Sequence, residues 1–160
     1  TLRPFNTYGP RQSERAIIPT VIRQALDPQC EAIHVGDLST TRDFTYVSDT
    51  VEAFLASATS RNLEYGRAYN AGTGRMVEVG DMIAQVTRLT GTNKPIAIEE
   101  SRQRPIASEV RCLQADASKL TAATGWTPTL TLEKGLEKTI AWWKTEIGSG
   151  RLRHSSRYMT

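Results

Sequence analysis

The sequence predicts an α/β fold of short strands and amphipathic helices in alternation. Three observations predict it. Short apolar runs recur between stretches of helical period. Glycine, proline and aspartate turns punctuate them at nearly every boundary. The chain also opens directly in an apolar strand without a polar lead-in, as if entering a fold part-way through.

The elements follow in order. Residues 2–5 read as a strand turned by Tyr8-Gly9-Pro10. Residues 14–26 read as a helix, with Ile17, Ile18, Val21, Ile22 and Leu26 near helical spacing. Pro19 falls in its first turns, where it costs least, and Asp27-Pro28 ends it. Ala32–Val35 is a strand closed by Gly36-Asp37. Arg42–Val47 is expected as one strand, with Arg42, Phe44 and Tyr46 on one face. Ser48 or Asp49 is expected to cap a helix carrying Val51, Phe54, Leu55 and Ala58.

Arg67–Ala71 reads as a strand before the turn Gly72-Thr73-Gly74. Residues 79–90 form an amphipathic helix with Met82, Ile83, Val86 and Leu89 inward, stopped by Gly91. Pro95–Ile98 is a strand, and residues 101–109 are a polar loop. Asp116 is expected to cap a short helix ended by Gly125. Thr131 opens the last helix, whose Leu132, Leu136, Ile140 and Trp143 form a core stripe. Residues 1–147 are expected as one domain, and 148–160 as a poorly ordered basic tail with Arg151, Arg153 and Arg157.

Composition excludes several functions. No apolar run approaches the ~20 residues of a membrane span, and no apolar h-region follows Arg3 as in a signal peptide. Cys30 and Cys112 have neither metal-ligand nor disulfide-scaffold spacing, so no metal is expected and the location reads as cytoplasmic. A net charge of +3 is too mild to point to nucleic acid.

Four arginines lie near turns: Arg11, Arg42, Arg102 and Arg104. The guanidinium fork matches phosphate oxygens bidentately, so two of them on separate loops can clamp a diphosphate. Glu109 can accept from ribose hydroxyls, and Asn6 can donate to a phosphate or a sugar. On spacing alone the favoured reading is of ordinary surface arginines paired with Asp43, Glu99 or Glu100.

Several segments together carry a resemblance. They are Arg3-Pro4-Phe5-Asn6-Thr7-Tyr8-Gly9-Pro10, then Arg42-Asp43-Phe44-Thr45-Tyr46-Val47-Ser48-Asp49, then Tyr69-Asn70-Ala71-Gly72-Thr73-Gly74. Arg104-Pro105 with Ser108-Glu109-Val110, and Gly125-Trp126-Thr127-Pro128 with Leu132–Leu136, complete the set. In this order, over about residues 1–145, the chain resembles the extended short-chain dehydrogenase/reductase superfamily. The similarity is to the carboxy-terminal half of its NAD-dependent nucleotide-sugar epimerases and dehydratases, most of all UDP-N-acetylhexosamine 4,6-dehydratases and UDP-glucose 4-epimerases. The resemblance implies the carboxy-terminal, substrate-binding part of a Rossmann-type fold, NAD as cofactor and a nucleotide-diphosphate sugar, UDP-linked, as partner. It places Pro4 and Phe5 beside the nicotinamide and Asn6 on a phosphate. Ala32, Ile33 and His34 would flank the base, Arg42 and Arg104 would hold the diphosphate, and Glu109 would take the ribose. The acidic residue follows Arg104 by five positions, a departure from the commonest epimerase pattern.

Neither the family's Gly-x-x-Gly-x-x-Gly fingerprint nor its Tyr-x-x-x-Lys pair occurs in these 160 residues. No catalytic residue is therefore assigned, and this chain by itself is expected to be inactive. An alternative is a naturally truncated, non-catalytic module that binds nucleotides or self-associates. With the strand at residues 2–5 exposing an open edge, self-association into a homo-oligomer is expected in either case.

Overall fold

The computed structural model describes residues 1–99, 101 and 110–149. Its strands are β1 (Leu2–Pro4), β2 (Thr7–Tyr8), β3 (Ile33–Val35), β4 (Thr41–Arg42), β5 (Thr45–Tyr46), β6 (Tyr69–Ala71), β7 (Val77–Glu78) and β8 (Ile96–Ile98). Its helices are α1 (Ile17–Leu26), α2 (Val47–Thr59), α3 (Val79–Thr90), α4 (Ser118–Thr124) and α5 (Leu132–Gly148). The strands pair two by two. β1 with β6, β2 with β5 and β3 with β8 are parallel, while β4 with β7 is antiparallel.

The larger core gathers α1, α3 and α5 over β3. Ile18, Val21 and Ile22 meet Met82, Ile83 and Val86 and the α5 stripe Leu136, Ile140 and Trp143, all essentially inaccessible. Each such aliphatic side chain contributes ~1.5–3 kcal/mol by leaving water. The smaller core sets Ala53, Ala71, Leu120 and Trp126 around β6.

Local signals end the helices where expected. Gly91 and Gly125 take the left-handed conformation that closes α3 and α4. Thr131 accepts from the Lys134 amide to start α5. Asp116, expected to cap α4, does not: the N-cap position is Ala117, without a side-chain cap, and Asp116 accepts from the Ser118 amide in a turn just before the helix. At the other end of α1, Lys94 Nζ donates to the carbonyls of Gln24 and Asp27, which the helix cannot satisfy itself. The Gln24 side chain, buried, exchanges both its amide groups with the backbone of His34 and so bolts β3 to α1.

Three further expectations are corrected. The strand expected over Arg42–Val47 is two, because the chain changes partner at Asp43-Phe44: β4 pairs with β7 and β5 with β2. α2 begins at Val47 without any side-chain cap, so neither Ser48 nor Asp49 caps it. Its apolar residues also face outward. Val51, Phe54 and Leu55 are 48–53% exposed, while Asp49, Thr50 and Ala53 form the buried face. The expected boundary at 147 falls in the last turn of α5, and residues 150–160 lie outside the described residues.

Candidate functional site

The signature running from Arg42 to Asp49 is organised by its two aspartates, which act as clasps. Asp43 is completely buried. It accepts from the Thr73 amide (2.9 Å) and hydroxyl (2.5 Å), the Gly74 amide (2.9 Å) and the Ala115 amide (3.0 Å). It therefore serves the Gly72–Gly74 turn and is not a surface partner for arginine. Gly72 must be glycine here, because a β-carbon would overlap that of Ala115. Asp49 accepts from the Thr129 hydroxyl at 2.8 Å and the Leu130 amide at 3.1 Å, and its own carbonyl receives the Trp126 indole N–H.

With the clasps closed, a cleft of about 340 Å³ opens between four pieces of chain. One wall is Asn6, Thr7, Tyr8 and Gln12, leading from β1 through β2. The second is the start of α1, from Arg15 to Ile18. The third is Gly36, Asp37 and Thr40, and the last is Arg42 with Phe44. α1 has no side-chain cap at its N-cap, Ala16, and its first residues, Ile17 and Ile18, line the cleft at the positive end of the helix dipole. Arg42 is half-buried, and its Nη1 donates to the Thr41 carbonyl at 2.9 Å. Nearby, Asp37 accepts from the amide and hydroxyl of Ser39. These bonds hold its carboxyl below the usual carboxylate range, with smaller help from Arg111 and Arg42.

Two polar atoms of the cleft are buried and have no hydrogen-bond partner: Asn6 Nδ2 and Gln12 Oε1. Buried polar atoms are nearly always paired, and these two belong to residues that line one concavity, where a bound ligand is able to supply the partner; Thr45 Oγ1 and Trp143 Nε1 are also unpaired, outside the cleft.

The expected residues divide. The cleft brings together Asn6 and Arg42. Pro4, exposed, and Phe5, half-buried, stand next to Asn6 where β1 ends. Ala32 and His34 are half-buried on or beside β3, outside the cleft lining. His34 Nδ1 lies 2.8 Å from Glu99 Oε1 but makes no aligned hydrogen bond with it. Ile33 has no exposure at all and packs in the larger core, its strand pairing with the exposed Ile96 of β8, so its side chain presents no face to a base. Arg104 and Glu109 lie outside the described residues. Gln12, Arg15 and the start of α1 were not expected in the site. The Gly9-Pro10 turn signalled a reversal there, but not the direction in which residue 12 points.

The family model for GDP-mannose 4,6-dehydratase matches residues 1–139. The chain belongs to this family. Within the extended short-chain dehydrogenase/reductase superfamily, one relative of this dehydratase-family chain is the GDP-6-deoxy-D-mannose reductase of Pseudomonas aeruginosa. It is 28% identical over 91% of this chain and 48% of its own length. Among solved structures, an epimerase of Methanothermobacter thermautotrophicus superposes with a TM-score of 0.82 at 27% identity. The match covers 94% of this chain and 44% of that one. A UDP-glucuronic acid 4-epimerase variant of Bacillus cereus, in complex with UDP-4-deoxy-4-fluoro-glucuronic acid and NAD, gives 0.80 at 28% identity, over 90% and 44%. The chain thus spans a little under half the length of these relatives. No helix among the described residues is long and apolar enough to cross a membrane, and no group of metal-ligating side chains occurs among them.

Proposed function

We propose that this chain is the sugar-nucleotide-binding half of an NAD-dependent epimerase or 4,6-dehydratase, with a UDP-linked sugar as ligand. The observation that carries the reading is the cleft, where an uncapped helix start, Arg42 and an unpaired Asn6 amide converge. Helix amides and a guanidinium are what a diphosphate requires. Arg104 joins Arg42 on the diphosphate, and Glu109 takes the ribose. Ala32 and His34 lie on the base side, with Ile33 contributing backbone alone.

Pro4 and Phe5 fit one face of a nicotinamide ring. Both are apolar and accessible at the end of β1, and neither offers a cradle for phosphate. When bound, NAD would accept a hydride from the sugar C4 and return it. The residues of this chain position the sugar nucleotide for that exchange. The two free cysteines, Cys30 and Cys112, fit a reducing cytoplasm.

The test is calorimetry with UDP-glucose on the longest form of the protein found in its source. Arg42→Ala should weaken binding by about 1.5–3 kcal/mol, the worth of a charged hydrogen bond. Equal affinity in mutant and parent would remove Arg42 from the clamp.

A second reading, the self-associating module, draws support from the outward Val51, Phe54 and Leu55 beside a β1 strand that, among the described residues, is paired on one edge alone. Light scattering after sizing would discard it if the protein stays monomeric at high concentration.

A further inference from the structure

The cleft contains an acceptor as well as donors, and a diphosphate cannot use it. Gln12 Nε2 donates to the Thr7 carbonyl at 2.8 Å. That bond fixes the orientation of the amide, so the buried, unpaired atom is the oxygen, Oε1.

The chain holds this side chain in place at a cost. Gly9 to Gln12 form a tight turn closed by the Gln12 amide on the Gly9 carbonyl. Pro10 takes its second position. Arg11 takes its third with φ +65, a left-handed conformation that a turn of this kind normally gives to glycine. The anchor is also fixed: Thr7 pairs with Thr45 in the β2–β5 ladder, and its hydroxyl bonds that of Thr50. Gln12 therefore presents a preset oxygen. Ionised phosphate has no hydrogen to offer it, so the partner is a hydroxyl or an N–H.

We infer that Gln12 is a specificity-determining residue whose Oε1 accepts a hydrogen bond from a donor group on the hexose ring of the bound sugar nucleotide. The inference rests on the sugar-nucleotide reading above. It assigns the hexose in preference to the nucleoside because Gln12 shares its wall with Asn6, which adjoins Pro4 and Phe5, the residues read against the nicotinamide that must meet the sugar. The residues expected around the base lie on or beside β3, outside that wall.

Gln12→Met keeps the length of the side chain and removes the acceptor, together with the Nε2 bond to the Thr7 carbonyl. Titration calorimetry would compare UDP with UDP-glucose, and GDP with GDP-mannose, on the full protein, with a melting curve to verify folding. The parent should bind the nucleotide sugars, which tests the underlying reading. The variant should bind the bare nucleotides within about twofold of the parent and the matching sugar about tenfold more weakly, the usual worth of one hydrogen bond. An equal loss for nucleotide and nucleotide sugar would move the contact to the nucleoside and overturn the assignment. No loss for either would overturn it as well. A parent that binds no nucleotide or nucleotide sugar would instead bring down the sugar-nucleotide reading, and this inference with it.

Discussion

Two sets of buried polar groups lie within one small domain and are treated oppositely. Asp43 and Asp49 are buried, and both have partners drawn from distant parts of the chain. Asn6 Nδ2 and Gln12 Oε1, buried atoms of half-buried residues, have none. The first set stabilises the fold, because removing a carboxylate would strand several amides in a dry interior. The second set lowers stability, because it keeps unpaired atoms ready for a ligand. A strongly patterned motif can therefore be mostly architecture. Of the signature from Arg42 to Asp49, the two acids hold the loops together, and Arg42 with Phe44 faces the cleft.

The sharpest way to break this contrast is Asp43→Ala. It removes four accepted hydrogen bonds and should cost roughly 3–5 kcal/mol, read as a drop in the denaturant midpoint. A loss under about 1 kcal/mol would deny Asp43 its structural role. Next comes Gly135→Ala. A β-carbon there would overlap Tyr8 Oη and crowd Tyr46, and overpacking of this kind costs about 1–3 kcal/mol.

Tyr8→Phe should cost about 1 kcal/mol, since the hydroxyl donates to the Leu132 carbonyl at 3.1 Å. It also has a pH signature. Burial, then Tyr46 and Asp49, push the Tyr8 hydroxyl well above its ordinary pKa of 10.0. Its contribution is thus fully present below pH 10. It is lost as pH climbs from there toward the raised folded value, because the unfolded chain releases the proton first. Alkaline unfolding curves should fall less steeply in the variant.

On the ligand side of the contrast, Gln12→Met should cost about 1 kcal/mol or less, because losing the Nε2 bond to the Thr7 carbonyl is partly offset by removing a buried acceptor without a partner. A large destabilisation would place Gln12 with the clasps. The smallest effect belongs to the exposed Arg88–Glu133 pair at 2.8 Å. Arg88→Ala should move the midpoint by under about 1 kcal/mol, and less in high salt.

What the sequence made legible follows the range of the interactions. α3 and α5 were readable because their stripes and caps lie within a few residues: Met82, Ile83 and Val86, with Gly91 and Thr131 at the ends. The break at Asp43-Phe44 was not, because it depends on amides 30 and 72 residues away. The outward turn of Phe54 and Leu55 was hidden for the same reason. Asp49 reaches Leu130, 81 residues on, and that contact turns a small, polar face of α2 inward. The two-residue β2 is too short to leave a periodic signal. In the site, Asn6 and Arg42 were readable from motifs. Gln12 was not, because its aim is set by the backbone angle of Arg11 and the carbonyl of Thr7.

The bond from Tyr8 to Leu132 spans 124 residues, nearly the whole described chain. Proteins are made from the amino terminus, at about 5–20 residues per second. The wall that carries Tyr8 therefore emerges roughly 6–25 seconds before the helix that holds it in place. During that interval Tyr8, Phe44 and Tyr46, later packed edge to face, have no α5 to cover them. The arrangement ties the quality of the cleft to an element synthesised 124 residues after Tyr8.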